Sequence, residues 1–286
     1  MDGIVIVAKP QDWTSQDVVS KLRGVFQTRR IGHGGTRDAM ATGVLPVFVG
    51  RATRGVEFFE QAEKTYEAVL RLGLHTDTED ITGTVLAEKE VNITAEQFLS
   101  VLENFRGQIQ QIPPMYSAIK VNGQKLCDLA RKGREVERQP RTITIHKLEC
   151  LEFTGKTARL LVHCSKGTYI RTLCKDIGEA LGCGGCMESL RRVTAGEYSI
   201  ANAVPLQTLI ESGNPAGYLL PVDSMFRQHP AVTLTEKQEK CCRNGVAFTT
   251  NLPEGTYRVY AASGEFLALS HMVEGKLTTI KSFWAV

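Results

Sequence analysis

Residues 32–46 (Gly-His-Gly-Gly-Thr-Arg-Asp-Ala-Met-Ala-Thr-Gly-Val-Leu-Pro) constrain this chain more than any other stretch. Glycine tolerates positive φ and lets backbone come close to a ligand or to other backbone. The segment follows a basic pair, Arg29 and Arg30, and runs into an apolar stretch at 44–49. It reads as a tight turn feeding a buried strand, and it carries one carboxylate, Asp38. A lone acid held on such a turn suits a catalytic group that meets its substrate at short range.

The rest of the composition bounds the fold more than the chemistry. At 286 residues the chain is long enough for one large domain and a small one. Hydrophobic residues make up 42% and charged residues 23%, an ordinary water-exposed balance. A net charge of +3 permits a nucleic-acid partner without demanding one. The apolar runs are too short to span a bilayer, and Lys9 and Pro10 interrupt the first of them. With no secretion-type leader, a cytoplasmic protein is expected, without membrane attachment. Eight cysteines do not imply a disulfide framework in a chain of this size. Cys183-Gly184-Gly185-Cys186 is a single CxxC with no second pair at metal-like spacing, so no metal site is expected.

Local patterns place strands and helices without a steady βα alternation. Residues 3–8 read as a buried strand, and Thr14 and Asp17 offer a helix start before Val18, Val19, Leu22 and Val25. A helix is expected near 52–63. Tyr66, Ala68, Leu70 and Leu72 alternate as in a half-buried strand. Thr94 and Gln97 form a capping-box pattern for a helix through 105. Residues 143–153 and 158–164 read as an antiparallel pair across Thr154-Gly155-Lys156, and residues 175–181 as a helix. The expected class is α+β, on a mostly antiparallel mixed sheet flanked by helices. A linker composition around 211–230 divides a first domain, 1–222, from a small β-rich module, 223–286.

Several segments, in order, resemble the motifs of the TruB family of tRNA pseudouridine synthases. The 32–46 segment is similar to its active-site motif, with Arg37 and Ala39 where the family carries Leu and Pro. Lys64-Thr65-Tyr66 resembles its KxY motif, and Thr76-Asp77-Thr78-Glu79-Asp80 its TDTxD segment. Residues 112–120 form a further family-like stretch. Residues 165–173 (Ser-Lys-Gly-Thr-Tyr-Ile-Arg-Thr-Leu) resemble the strand that carries the active-site arginine, and Leu190-Arg191-Arg192 the element beyond it.

The resemblance implies isomerisation of the T-loop uridine at tRNA position 55 to pseudouridine, with no cofactor or metal. It makes Asp38 the essential carboxylate, either attacking C1′ or removing the 2′ proton. Tyr66 would stack on the base, as chemistry on a nucleobase requires once it leaves its stack. Arg171 would pair with Asp38, and Lys64, Asp80 and Leu190 would line the base site. His33 would enter the space left by rearranged T-loop bases. A basic segment at about 112–147, including Lys120, Arg131 and Arg141, would clamp the T arm of tRNA through phosphates. A solvated charged helix is the plain alternative for that segment. The C-terminal module takes the place of a PUA domain that touches the acceptor stem. A monomer without an obligate protein partner is expected.

The two departures suggest a second reading, a tRNA-binding or folding protein with impaired catalysis. Arg37 turned inward would compete for Asp38, and Ala39 gives up the fixed φ of proline. A third reading, a nucleotide-phosphate cradle, fails because Arg37 occupies the last glycine position of the dinucleotide pattern.

Overall fold

The computed structural model describes residues 1–284, which separate into two compact units. One comprises Met1–Asp38, Leu45–Glu60 and Asn202–Val286, the other Ala39–Val44 and Gln61–Ala201.

In the first unit the strand order is Val204–Pro205, Gly3–Lys9, Thr42–Val49, with Ile31–His33 paired antiparallel to the end of the last. Gly3–Lys9 is almost wholly buried, as an apolar run with covered faces must be. The Ser15–Val25 helix starts on a complete capping box: the Thr14 hydroxyl accepts from the Asp17 backbone N–H, and the Asp17 carboxylate accepts from that of Thr14. Its Val18, Val19 and Leu22 pack with Val5, Val7, Leu45 and Val47. The helix expected near 52–63 is shorter, a 3-10 turn at Gly50–Gly55 and an α-helical turn at Val56–Glu60.

The C-terminal part of this unit carries its own sheet, ordered Ala231–Thr233, Gly255–Tyr260, Phe266–Val273, Lys276–Ser282, Phe248–Thr249. Leu234, Cys242, Val259, Leu267 and Leu277 form its core. Phe226, Phe266 and Phe283 cluster beside it, with the rings of Phe266 and Phe283 stacked.

In the second unit the order is Gly185–Ala195, Lys64–Leu72, Thr157–Cys164, Arg141–Phe153, Gly107–Gln111, antiparallel throughout. The opening residues of Thr42–Val49 add a parallel pairing, Thr42 with Arg191 and Gly43 with Arg192. The sheet is therefore mixed and mostly antiparallel. Tyr66, Ala68, Leu70 and Leu72 all point into the core, the face their alternation predicts. The Thr94 capping box opens Ala95–Leu102, which continues as a 3-10 turn at Glu103–Phe105.

Candidate active site

The 31–38 segment is tied down residue by residue. The Gly34 N–H donates to the Pro46 carbonyl (2.8 Å). A Cβ on Gly34 would lie 2.4 Å from the Phe59 ring, so glycine is what lets that ring close over the turn. Gly35 takes φ +98°, a left-handed turn that bulkier residues resist. The Arg37 backbone N–H then donates to the hydroxyl of Ser15 (2.8 Å), the buried first residue of the capped helix. Asp38 follows at once, with its side chain exposed. Local sequence thus delivers one solvent-facing carboxylate at the end of a pinned loop.

The surroundings of this loop are cationic. Lys9 is buried, and its Nζ donates to the carbonyls of Pro10 (2.8 Å) and Trp13. Burial, then the Arg37 guanidinium, pull its ammonium down to about 8, against the attraction of Asp12, Asp38 and Asp17. Burial and then Arg37 likewise lower His33, which favours a neutral imidazole at pH 7. Arg37 itself is half-buried, with Nε and Nη2 enclosed and Nη1 donating to the Thr36 carbonyl (2.9 Å).

In the second unit Tyr66 is 6% exposed, on the buried face of Lys64–Leu72. Lys64, at the start of that strand, donates to the Ala62 carbonyl. Leu190 lies opposite Ala68 in register and packs against the same core. Asp80 is 4% exposed and closes a turn on itself: one carboxylate oxygen accepts from the Thr78 hydroxyl (2.9 Å), the Thr82 backbone N–H (3.0 Å) and the Thr82 hydroxyl (2.6 Å). The other lies 3.7 Å from Arg171 Nη1. Arg171 also donates to the carbonyls of Thr78 (3.2 Å) and Tyr116 (2.8 Å). The fold therefore brings Asp80 and Arg171 together.

One expectation is corrected here. Arg171 stands on a helix, Ile170–Ala180, and not on a strand. Gly167, at φ +78°, turns the chain after Thr157–Cys164, and Ile170, Leu173, Cys174 and Ile177 then bury one helical face.

The basic segment shows little helix. It holds a small hairpin (Lys120–Val121 with Gln124–Lys125), a short helix at Leu126–Ala130 and irregular chain over 131–140. Lys120, Arg131 and Arg141 are exposed. This removes the charged-helix alternative for most of the stretch. Cys174, Cys183 and Cys186 are buried thiols, and burial pushes Cys186 up to about 11, away from reactivity.

Sequence reasoning missed three participants. The sequence shows Lys9 only as an interruption of an apolar run, although a lysine closing an almost wholly buried strand signals an enclosed amine. Ser15 carries no signal beyond its place between Thr14 and Asp17 at the helix start. Glu79 is half-buried at φ +63° and accepts from the Thr172 hydroxyl (2.5 Å), with desolvation raising its carboxyl above the usual range. Nothing local announces that pairing across 93 residues.

Comparison with known proteins bears on the same residues. The model of the "TruB family pseudouridylate synthase (N terminal domain)" matches residues 23–170. The "tRNA pseudouridylate synthase B C-terminal domain" model matches 171–227. A tRNA pseudouridine synthase B of Clostridium kluyveri is 39% identical over 289 residues, covering 99% of this chain and 100% of that protein. A namesake from Dechloromonas aromatica is 46% identical over 266 residues, covering 91% of this chain and 88% of that protein. Among solved structures, an H/ACA RNP bound to a substrate RNA containing 2′-deoxyuridine aligns with TM-score 0.74 at 22% identity, over 99% of this chain and 85% of the matched one. That likeness is one of fold.

Proposed function

The chain belongs to the TruB family of pseudouridylate synthases, and from that premise we propose that it isomerises the T-loop uridine at tRNA position 55 to pseudouridine. The observation that carries this reading is Asp38, an exposed carboxylate on a loop whose backbone is fixed one residue earlier by Ser15. Nothing in the comparisons favours the reading of a binding protein that has lost catalysis.

The reaction is an isomerisation without change of oxidation state. The C1′–N1 bond breaks, uracil rotates in place and C5 bonds to C1′; C5 then gives up its hydrogen as a proton, and N1 takes up a proton in exchange. No redox partner or nucleotide cofactor is called for. Asp38 is the essential carboxylate, as nucleophile at C1′ or as base at the 2′ position. Tyr66 is the aromatic partner of the extruded uracil, flanked by Leu190. Arg171, held by Asp80 and two carbonyls, is the fixed cation of the site, and His33 fills space left by displaced T-loop bases. Lys64, Lys120, Arg131 and Arg141 meet RNA, the last three on phosphates of the T arm. The module at 223–286 meets the acceptor stem. No helix among the described residues is long and apolar enough to cross a membrane, and we place the protein, as a monomer, with its tRNA in the cytoplasm.

The test is tritium release from an unmodified tRNA transcript carrying C5-tritiated uridine, beside Asp38→Asn. The reading requires one equivalent released per tRNA by the parent chain and none by the variant, with tRNA bound by both. Bound tRNA without release by the parent would overturn it.

A further inference from the structure

Arg192 is the largest side chain with no exposure among the described residues. Its Nε donates to the Val44 carbonyl (2.7 Å). Its Nη1 and Nη2 are enclosed and have no hydrogen-bond partner among the described residues, and no carboxylate pairs with it there. A guanidinium stays charged at any working pH. An interior charge without a counter-charge is among the costliest groups a fold can hold, and an apolar side chain of similar volume would fill the space better. The Nε bond to Val44 explains a donor at this depth. It does not explain a charge.

The position of that charge does. In the antiparallel pairing of Gly185–Ala195 with Lys64–Leu72, Arg192 is directly opposite Tyr66, and Leu190 opposite Ala68. Residues opposed in this way share one face of the sheet. The proposed reaction sets the uracil against Tyr66. When C1′–N1 breaks, the bonding pair stays with uracil, which carries negative charge until C5 bonds to C1′; C5 then gives up its proton and N1 takes one up. A fixed cation in a dry interior acts on such charge with little screening and without reorganising. We propose that Arg192 is a positioning residue for the isomerisation, holding a buried positive charge beside Tyr66 that favours departure of uracil as an anion. The proposal rests on the synthase reading.

Two substitutions separate charge from shape. In Arg192→Gln the amide nitrogen falls where Nε stood, so the bond to Val44 is kept and the charge is lost. Arg192→Lys keeps the charge and gives up that geometry. Tritium release under steady-state conditions gives kcat and KM, and thermal melting reports the fold. The charge reading expects Arg192→Gln to melt no lower than the parent, with unchanged KM and kcat reduced about 100-fold. It expects Arg192→Lys to stay within about tenfold of the parent. A parent-like kcat in Arg192→Gln overturns the proposal. So does an Arg192→Lys as slow as Arg192→Gln, whatever either does to melting. Failure of the parent chain itself to release tritium would count against the synthase reading instead.

Discussion

Gly43 should be the least replaceable glycine in the chain, and the size of the effect follows from its surroundings. It sits at φ +97° on the strand leaving the Asp38 loop, paired with Arg192. A Cβ there would lie 2.2 Å from the Arg192 carbonyl oxygen and 2.9 Å from its backbone nitrogen, so only a backbone shift can relieve it. Forcing alanine into a left-handed conformation costs about 1–2 kcal/mol. Overpacking against backbone adds about 1–3 kcal/mol. Together these give about 2–5 kcal/mol, a fall in Tm of about 5–15 °C for a chain of this size. Gly182 supplies the control: it has φ +78° and no atom within 4 Å of an added Cβ. Gly182→Ala should therefore show strain alone, about 1–2 kcal/mol or roughly 3–6 °C. Calorimetric melting of Gly43→Ala, Gly182→Ala and the parent decides the matter. The shifted strand also carries the Val44 carbonyl and the end of the Asp38 loop, and on the proposed role of Asp38 a displacement of about 1 Å costs on the order of a hundredfold in rate. Equal melting of the two variants would refute the assignment of the larger cost to the Arg192 contact.

Other perturbations follow from single contacts. Ser15→Ala leaves the half-buried Arg37 N–H without its acceptor, a cost of about 1 kcal/mol; kcat should fall about tenfold or more at constant KM, and an unaltered kcat would show that the loop does not need this tie. Burial raises the Asp176 carboxyl from 3.8 to about 6, so the native state holds the extra proton and stability declines as pH climbs between those values. Asp176→Asn removes that loss, worth about 1–2 kcal/mol at pH 7 once solvent screening is allowed for. Its melting advantage should be small at pH 4 and full at pH 7, and a pH-independent difference would contradict the sign. Binding of tRNA should weaken steeply with salt, and Arg131→Ala and Arg141→Ala should each lower the log–log slope by about 1; slopes unchanged in both variants would remove these residues from the phosphate interface.

What the sequence discloses about this fold depends on how local the deciding physics is. The helix start expected at Thr14 and the capping box expected at Thr94 both form, the first also as a full capping box, because each is settled within four residues. The alternation from Tyr66 to Leu72 names its buried face for the same reason. Arg171 shows where locality fails. Its motif continues a strand in sequence, but Gly167 turns the chain and the apolar positions 170, 173, 174 and 177 are helical in period. That period was present in the sequence and outweighs the strand reading suggested by the motif. The charged interior was harder to see. Lys9, Glu79 and Arg192 look like surface residues by type; Lys9 and Arg192 are buried and Glu79 is half-buried, and two of the three meet partners distant in sequence, Glu79 the hydroxyl of Thr172 and Arg192 the carbonyl of Val44. Charge inside a protein is a net cost unless it is used, so these positions are where composition-based reasoning should be expected to err. At Asp80 and Arg171 the charges meet one another at 3.7 Å and hold a turn against a helix. At Arg192 no such counter-charge exists among the described residues, and the task that remains for its guanidinium is to act on charge that appears only during the reaction.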